Sequence, residues 1–442
     1  FFKEIKELQP GNSILLSLDN FELKIDRFRT LVINKNYEKY SEEKAKIYSM
    51  QVRELLFKAV RRRLRSDVPV GSCLSGGLDS STIVMIVNKL LKHERIDQIG
   101  ERQKVFTAVF NGYPIDESKW ARIVVEHGNI EWHVTNPTFE ELIRDIEDLI
   151  YYQDFPFPST SIYASYRVMK LVAEKGVKVS LDGQGADELF TGYYPYYSYF
   201  FKELVKNGSL MTLISEVCHY KNSPLNTKQF LLRLFQGLSP NWISLPLSTM
   251  IRSQNFLFRK DFYNYYSHRI REYVKKSLSV ESLNEALANF FGDETLKSLL
   301  RYADRNSMRF SIEARVPYSD DTELVDFVFK IPSTYKIHKG YSKYILRRAV
   351  EGLVPDEIRW RRDKIGFQTP ESKWFLDKKN DVAKILHEHE RFINQYLDMS
   401  TLFKLLDSKD SDIFSRYIWK LINLGVWLSM DQQVKIARST KR

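Results

Sequence analysis

The sequence predicts an α/β fold, a parallel sheet flanked by helices, followed by a mainly helical C-terminal half. Three observations carry this. Short apolar runs alternate with helical patterns from residue 41 to about 190, glycine-bearing turns follow two of those runs, and beyond about residue 195 the strand signal fades. The 442 residues are 43% hydrophobic and 14% aromatic, enough apolar material for one large core or two ordinary ones.

Residues 1–40 read as extended and turn-rich, with Pro10-Gly11-Asn12 as a breaker and Ile14-Leu15-Leu16 as a short strand. From Ser41 the pattern changes. Glu42 and Glu43 open a segment in which Ile47, Met50, Leu55, Ala59, Val60 and Leu64 recur at helical spacing, so a long amphipathic helix is expected to about Arg65. Strands are expected over residues 68–74, 105–110, 130–134 and 177–181, and helices over 80–91, 117–127, 138–152 and 162–175. Residues 283–311 and 341–353 also read as helical.

Composition narrows the function classes. No run of eighteen residues escapes charge and polar breaks, and the first thirty lack a secretory pattern, so no membrane span is expected and the cytoplasm is the expected compartment. Cys73 and Cys218 cannot build a disulfide framework, and no His/Cys group has zinc spacing. The net charge of +11 suits nucleic acid, a polyanionic nucleotide or a solvated surface, with nucleic acid the minor alternative. The basic run Arg61, Arg62, Arg63 and Arg65 falls at a helix end, where cations complement the macrodipole.

The most informative stretch is Ser75-Gly76-Gly77-Leu78-Asp79-Ser80-Ser81, where a buried strand meets a helix. Main-chain N–H groups and the helix dipole favour an anion there. Gly76 and Gly77 let the backbone approach phosphate oxygens, and the hydroxyls of Ser75, Ser80 and Ser81 add donors. A carboxylate beside phosphates is repulsive unless a cation bridges them, which assigns Asp79 to Mg²⁺. The Gly-Lys-Ser/Thr ending of a Walker loop is absent.

A second string, from Asp182 through Gly183, Gln184, Gly185, Ala186, Asp187 and Glu188 to Tyr193, follows the strand at 177–181. Ligands of open α/β sheets gather at the carboxyl ends of strands, so the two loops should face one crevice. A third string joins Asp304-Arg305-Asn306-Ser307-Met308 to Glu313-Ala314-Arg315-Val316-Pro317-Tyr318. A fourth runs from Lys343-Tyr344-Ile345-Leu346-Arg347 to Arg361-Arg362-Asp363-Lys364-Ile365-Gly366. Taken singly, the third passes for a salt-bridged helix end and the fourth for a solvated basic face.

Ser75 to Ser81 resembles the pyrophosphate loop of the N-type ATP pyrophosphatases. In this order the four strings resemble the asparagine synthetase (glutamine-hydrolysing) family over Ser41 to about Leu428, implying an adenine nucleotide α-hydrolase-like fold. The stretch from Ile5 to Gly11 is similar to the place where that family's N-terminal glutaminase hands over to the synthetase. The resemblance thus divides the chain into the tail of a glutaminase domain, residues 1–40, and a synthetase domain, residues 41–442.

It implies that ATP adenylates a carboxylate, with aspartate the first guess, releasing pyrophosphate, and that ammonia from the glutaminase then displaces AMP. Asp79 and Asp187 are implied to hold Mg²⁺, and Lys364 to stabilise the pentavalent phosphorus and the leaving group. Main chain around Cys73, Leu74, Val109, Asp182 and Gly183 is implied to line the nucleotide pocket. Asp304, Glu313 and Arg315 match the substrate-side motif, with Gln184, Lys343 and Arg347 as further substrate-side candidates. Some members place a Glu where this chain has Gln184, and an amide cannot usefully accept a proton. Related amidotransferases and cyclases acting on peptide or sugar-acid carboxylates share these strings. tRNA-modifying enzymes with a related loop are a more distant alternative, and a homodimer is among the assemblies left open.

Overall fold

The computed structural model describes residues 4–240, 243, 257–362, 366–407 and 417–430. Near the N-terminus, β1 (Asn12–Leu16) and β2 (Leu23–Arg27) form an antiparallel hairpin with nearly every residue exposed. The long helix α1 (Glu42–Arg63) follows. It starts where the Ser41 side chain accepts the N–H of Lys44, and it ends on Arg61, Arg62 and Arg63, the charge order that a helix dipole favours at each end.

Five parallel strands make the main sheet: β3 (Val70–Cys73), β4 (Gln103–Ala108), β5 (Ile130–Thr135), β6 (Val179–Leu181) and β7 (Glu313–Arg315). Their spatial order is β5-β4-β3-β6-β7. Four lie in the apolar runs named above. β7 corrects the expectation that strands end before residue 195. It is three residues of Glu-Ala-Arg with no apolar run, and pairing with β6 rather than local propensity makes it a strand.

Helices α2 (Leu78–Leu91), α3 (Ser118–His127), α4 (Phe139–Gln153) and α5 (Ser161–Glu174) connect the strands. In α2, Ile83, Val84, Ile86 and Val87 are all fully buried, as expected of a helix apolar nearly all round. α2 packs against β3 and β4, and α5 against β4 and β5. A separate apolar cluster joins Leu142 and Leu149 of α4 to Trp374, Phe375, Leu386, Trp419 and Ile422, so the C-terminal helices close over that side.

The second half is mainly helical, with two departures from the expected spans. Residues 283–311 divide into Leu283–Asn289, a π-turn at Phe290–Glu294 and Leu296–Arg309. Such a turn interrupts the i to i−4 ladder and redirects the chain. Over 341–353 only Tyr344–Ala349 is α-helical, because Lys343 takes a left-handed conformation at φ +54° and the helix starts after it. Among the described residues, no helix is long and apolar enough to cross a membrane.

Candidate active site

The sheet order places a topological switch point between β3 and β6: the chain runs outward through β4 and β5 on one side, then returns to β6 and β7 on the other. Ligands of open α/β sheets bind at such a point, outside the carboxyl ends of the strands. β3 and β6 pair in parallel with Ser72 opposite Leu181, so the loops that follow them are level. They also touch. A Cβ on Gly183 would lie 3.2 Å from the Ser80 nitrogen and 3.3 Å from the Asp79 Cβ.

The loop after β3 is pinned from within and from behind. The Ser75 N–H donates to Ser80 Oγ at 3.2 Å, the two hydroxyls lie 3.1 Å apart, and the Gly77 N–H donates to Ser75 Oγ at 3.3 Å. α2 begins after Gly77 without a side-chain cap, leaving its first N–H groups to meet an anion. The Ser81 hydroxyl is buried with no hydrogen-bond partner. Gly76 has φ +76°, and a Cβ there would sit 2.5 Å from the Ala121 nitrogen in α3. Gly76→Ala therefore combines a left-handed backbone with a clash, and should cost about 2–4 kcal/mol of stability by urea denaturation.

The loop after β6 leads into the short helix α6 (Ala186–Phe190), which carries Asp187 and Glu188 in its first turn. Asp79 and Asp187 converge on one point, occupied by the ammonium of Lys343. Its Nζ lies 2.6 Å from both Asp79 carboxylate oxygens and also pairs with Asp187. Lys343 is only 3% exposed. Lys343 is a substrate-side candidate by resemblance, and the structure places its ammonium between the two carboxylates.

Glu188 was not singled out. It is buried, and its carboxylate accepts the Tyr193 hydroxyl at 2.6 Å. Burial first, and then the charge of Asp187, push its carboxyl up to about 7. Between the ordinary value near 4.5 and about 7, the folded protein keeps a proton that the unfolded chain has lost, so this group lowers stability as pH rises through that window. Glu188→Gln should remove the loss, and its stability relative to the parent should rise by up to about 3 kcal/mol between pH 4.5 and pH 8 in urea titrations. The sequence signal was the second acid beside Asp187.

The strand-end residues are engaged within the sheet. The Leu74 N–H donates to the Phe106 carbonyl at 2.9 Å, and the Leu74 carbonyl accepts the Thr107 hydroxyl at 2.7 Å. The Val109 N–H donates to the Thr135 carbonyl at 2.8 Å. The Cys73 thiol lies 3.5 Å from Ser180 Oγ, and burial pushes it far up, so it stays protonated at neutral pH. Burial also pushes the Asp182 carboxyl up, opposed by the N–H groups of Gly183 and Gln184.

The third string reaches the site at its end, where the Tyr318 hydroxyl donates to the Asp79 carbonyl at 3.1 Å, while its charged residues make other contacts. Asp304 is exposed on helix Leu296–Arg309, while its neighbour Asn306 is buried and bonded to Gln153 and the Ile162 carbonyl, each at 2.8 Å. Arg315 closes the end of α1, donating to the carbonyls of Arg63 at 2.7 Å and Arg65 at 2.6 Å, with Glu313 on its Nε at 2.8 Å. Arg347 is likewise engaged, on the carbonyls of Ser342 at 2.8 Å, Arg361 at 3.1 Å and Arg359.

Lys364 lies outside the described residues. Arg361, three residues before it, belongs to a basic run in which charge alone gives no sign of its partners. Its guanidinium reaches the Gly76 carbonyl at 3.5 Å, pairs with Glu117 and lies 4.5 Å from the Trp120 ring centroid. The phosphate-type loop, the start of α3 and the segment leading to Lys364 are thus joined at one side chain.

Level loops at a switch point, an uncapped helix N-terminus and two converging carboxylates define an α/β protein whose strand tips gather main-chain donors beside acidic side chains. A family model described as asparagine synthase matches residues 51–429, and the chain belongs to that family. It is 28% identical to asparagine synthetase [glutamine-hydrolyzing] 1 of Bacillus subtilis (strain 168), over 97% of this chain and 65% of that protein. It is also 28% identical to asparagine synthetase [glutamine-hydrolyzing] 3 of the same organism, over 93% of this chain and 62% of the relative. Amidase chyE of Penicillium rubens is 26% identical, over 85% and 60%. The chain therefore spans less than two thirds of the length of these relatives.

Proposed function

We propose that this chain performs ATP-dependent amide synthesis: it adenylates a carboxylate, first of all the aspartate side chain, and passes the acyl group to ammonia. The observation that carries this reading is the convergence of Asp79 and Asp187 beside the loop from Ser75 to Ser81. A carboxylate oxygen attacks the α-phosphorus, the bond to the β-phosphate oxygen breaks, and pyrophosphate leaves. Ammonia then forms the C–N bond as the acyl C–O bond breaks and AMP departs, shedding a proton.

Magnesium is supported by the donor set. Among the described residues, no group of three or more His, Cys, Asp or Glu side chains could hold a metal, and magnesium is commonly held by one or two carboxylates with substrate phosphates completing its shell. Asp79 and Asp187 would hold it, and when bound it neutralises phosphate charge. The remaining work falls to the chain itself. The main chain of Gly76 and Gly77 and the start of α2 face the leaving pyrophosphate, and preorganised donors of this kind stabilise charge without reorganisation. Arg361 ties the chain three residues before Lys364 to the loop from Ser75 to Ser81, and Lys364 is the residue assigned to the phosphorus in flight.

The test is pyrophosphate release and ATP–pyrophosphate exchange against a panel of carboxylates. Exchange stimulated by aspartate supports the reading, and stimulation only by a peptide or sugar acid moves the substrate to the cyclase or amidotransferase class. No exchange with any carboxylate sinks it.

The exposed hairpin bears on the nitrogen source. Ile14, Leu16, Leu23 and Ile25 share one face of the hairpin and are 46–57% exposed, and apolar clusters of this kind mark contact surfaces. In this reading the hairpin is the tail of a glutaminase domain that delivers ammonia. Residues 1–442 alone should then use ammonium but not glutamine, which amide formation from each nitrogen source checks. Glutamine-dependent turnover by this polypeptide would refute that division.

A further inference from the structure

Lys343 has a role that adenylation chemistry alone does not require. We propose that its ammonium is a resident counter-ion that closes the Asp79–Asp187 pair to free divalent metal until a nucleotide arrives. The proposal rests on the reading above, and it concerns the order in which ligands enter that site.

The first ground is placement. Nζ lies 2.6 Å from both oxygens of Asp79 and pairs with Asp187, and the side chain is 4% exposed. A divalent cation approaching this pair meets a like charge already seated at the point of convergence, in surroundings that screen it poorly.

The second ground is that the backbone fixes where the lysine stem begins, beside the Asp187 turn. Lys343 has φ +54°, and its N–H donates at 3.1 Å to the hydroxyl of Thr191, itself left-handed at φ +70°. That hydroxyl also reaches the Lys336 carbonyl at 3.2 Å. The Gly192 N–H, next in the chain after Thr191, donates to the Asp187 carbonyl at 2.7 Å. Two left-handed non-glycine residues bonded to each other persist only where the surroundings over-determine them. The turn carrying Lys343 and the turn after Asp187 are therefore one unit.

Phosphates change the balance. A triphosphate seated on the loop from Ser75 to Ser81 brings acceptor oxygens to which the ammonium can move, since a lysine head on a flexible stem re-aims easily. The carboxylates are then open to the metal that the nucleotide carries. Metal and nucleotide thus favour each other, and by linkage the coupling is reciprocal.

The experiment is a Mn²⁺ titration followed by electron paramagnetic resonance, with the protein alone and with α,β-methylene-ATP. Wild-type protein alone should take up Mn²⁺ at least tenfold more weakly than Lys343→Met or Lys343→Gln. With the analogue present, wild type should bind Mn²⁺ in a manner lost in Asp79→Asn. Saturable Mn²⁺ binding to nucleotide-free wild type that disappears in Asp79→Asn overturns the proposal, and that measurement needs no Lys343 variant to fold. Equal Mn²⁺ affinity in wild type and a folded Lys343 variant overturns it too. ATP–pyrophosphate exchange, measured separately on wild type, decides the adenylation reading whichever way the Mn²⁺ titration falls.

Discussion

Asp79→Asn should abolish ATP–pyrophosphate exchange, a fall of at least ~10³-fold, while the protein stays folded. The substitution keeps the size of the side chain and removes its charge from the point where Asp79, Asp187 and Lys343 meet. Lys343 still has Asp187, so the stability cost should stay near about 1–3 kcal/mol. The double variant Asp79→Asn with Asp187→Asn strands the buried ammonium, and urea denaturation should register about 3–5 kcal/mol, the range for a broken buried ion pair. Exchange separates the chemistry from the folding. An Asp79→Asn protein that exchanges at the parental rate would remove the site assignment, whatever its stability.

The second large effect separates Lys364 from its anchor. Lys364→Ala should lower exchange by about 10³-fold with stability within about 0.5 kcal/mol of the parent, because the charge it removes acts on the transition state. Arg361→Met should lower both. It leaves Glu117, a side chain 14% exposed, without that guanidinium, and misplacement of a catalytic segment by about 1 Å can cost ~10²-fold. Chemical denaturation beside exchange kinetics distinguishes them. Stability lost in Lys364→Ala but not in Arg361→Met would reverse the two roles.

Much of the fold was legible because its signals are local. The helical spacing and the Ser41 cap mark the ends of α1 to within two residues, since both depend only on neighbours along the chain. Its buried face, however, is Ala45, Val52, Leu56, Ala59 and Val60, while Ile47 and Met50 are exposed. The strand, glycine turn and helix around Ser75–Ser81 are legible for the same reason. β7 was not, because Glu-Ala-Arg carries no period, and pairing with β6 makes it a strand.

Charged side chains divide more sharply. Residue type and spacing set two loops at two strand tips, one with Asp79 and one with Asp187, and put the basic strings far down the chain. Nothing in that order says which cation meets which anion. Arg315 was matched to a substrate carboxylate and is found on the carbonyls of Arg63 and Arg65, and Arg347 is found bracing the backbone before Arg362. Lys343 crosses 264 residues to reach Asp79. Secondary structure follows from interactions a few residues apart, which a linear sequence records. The partner of a long cation follows from which surfaces the packed core brings within 3 Å, and only the folded chain specifies that.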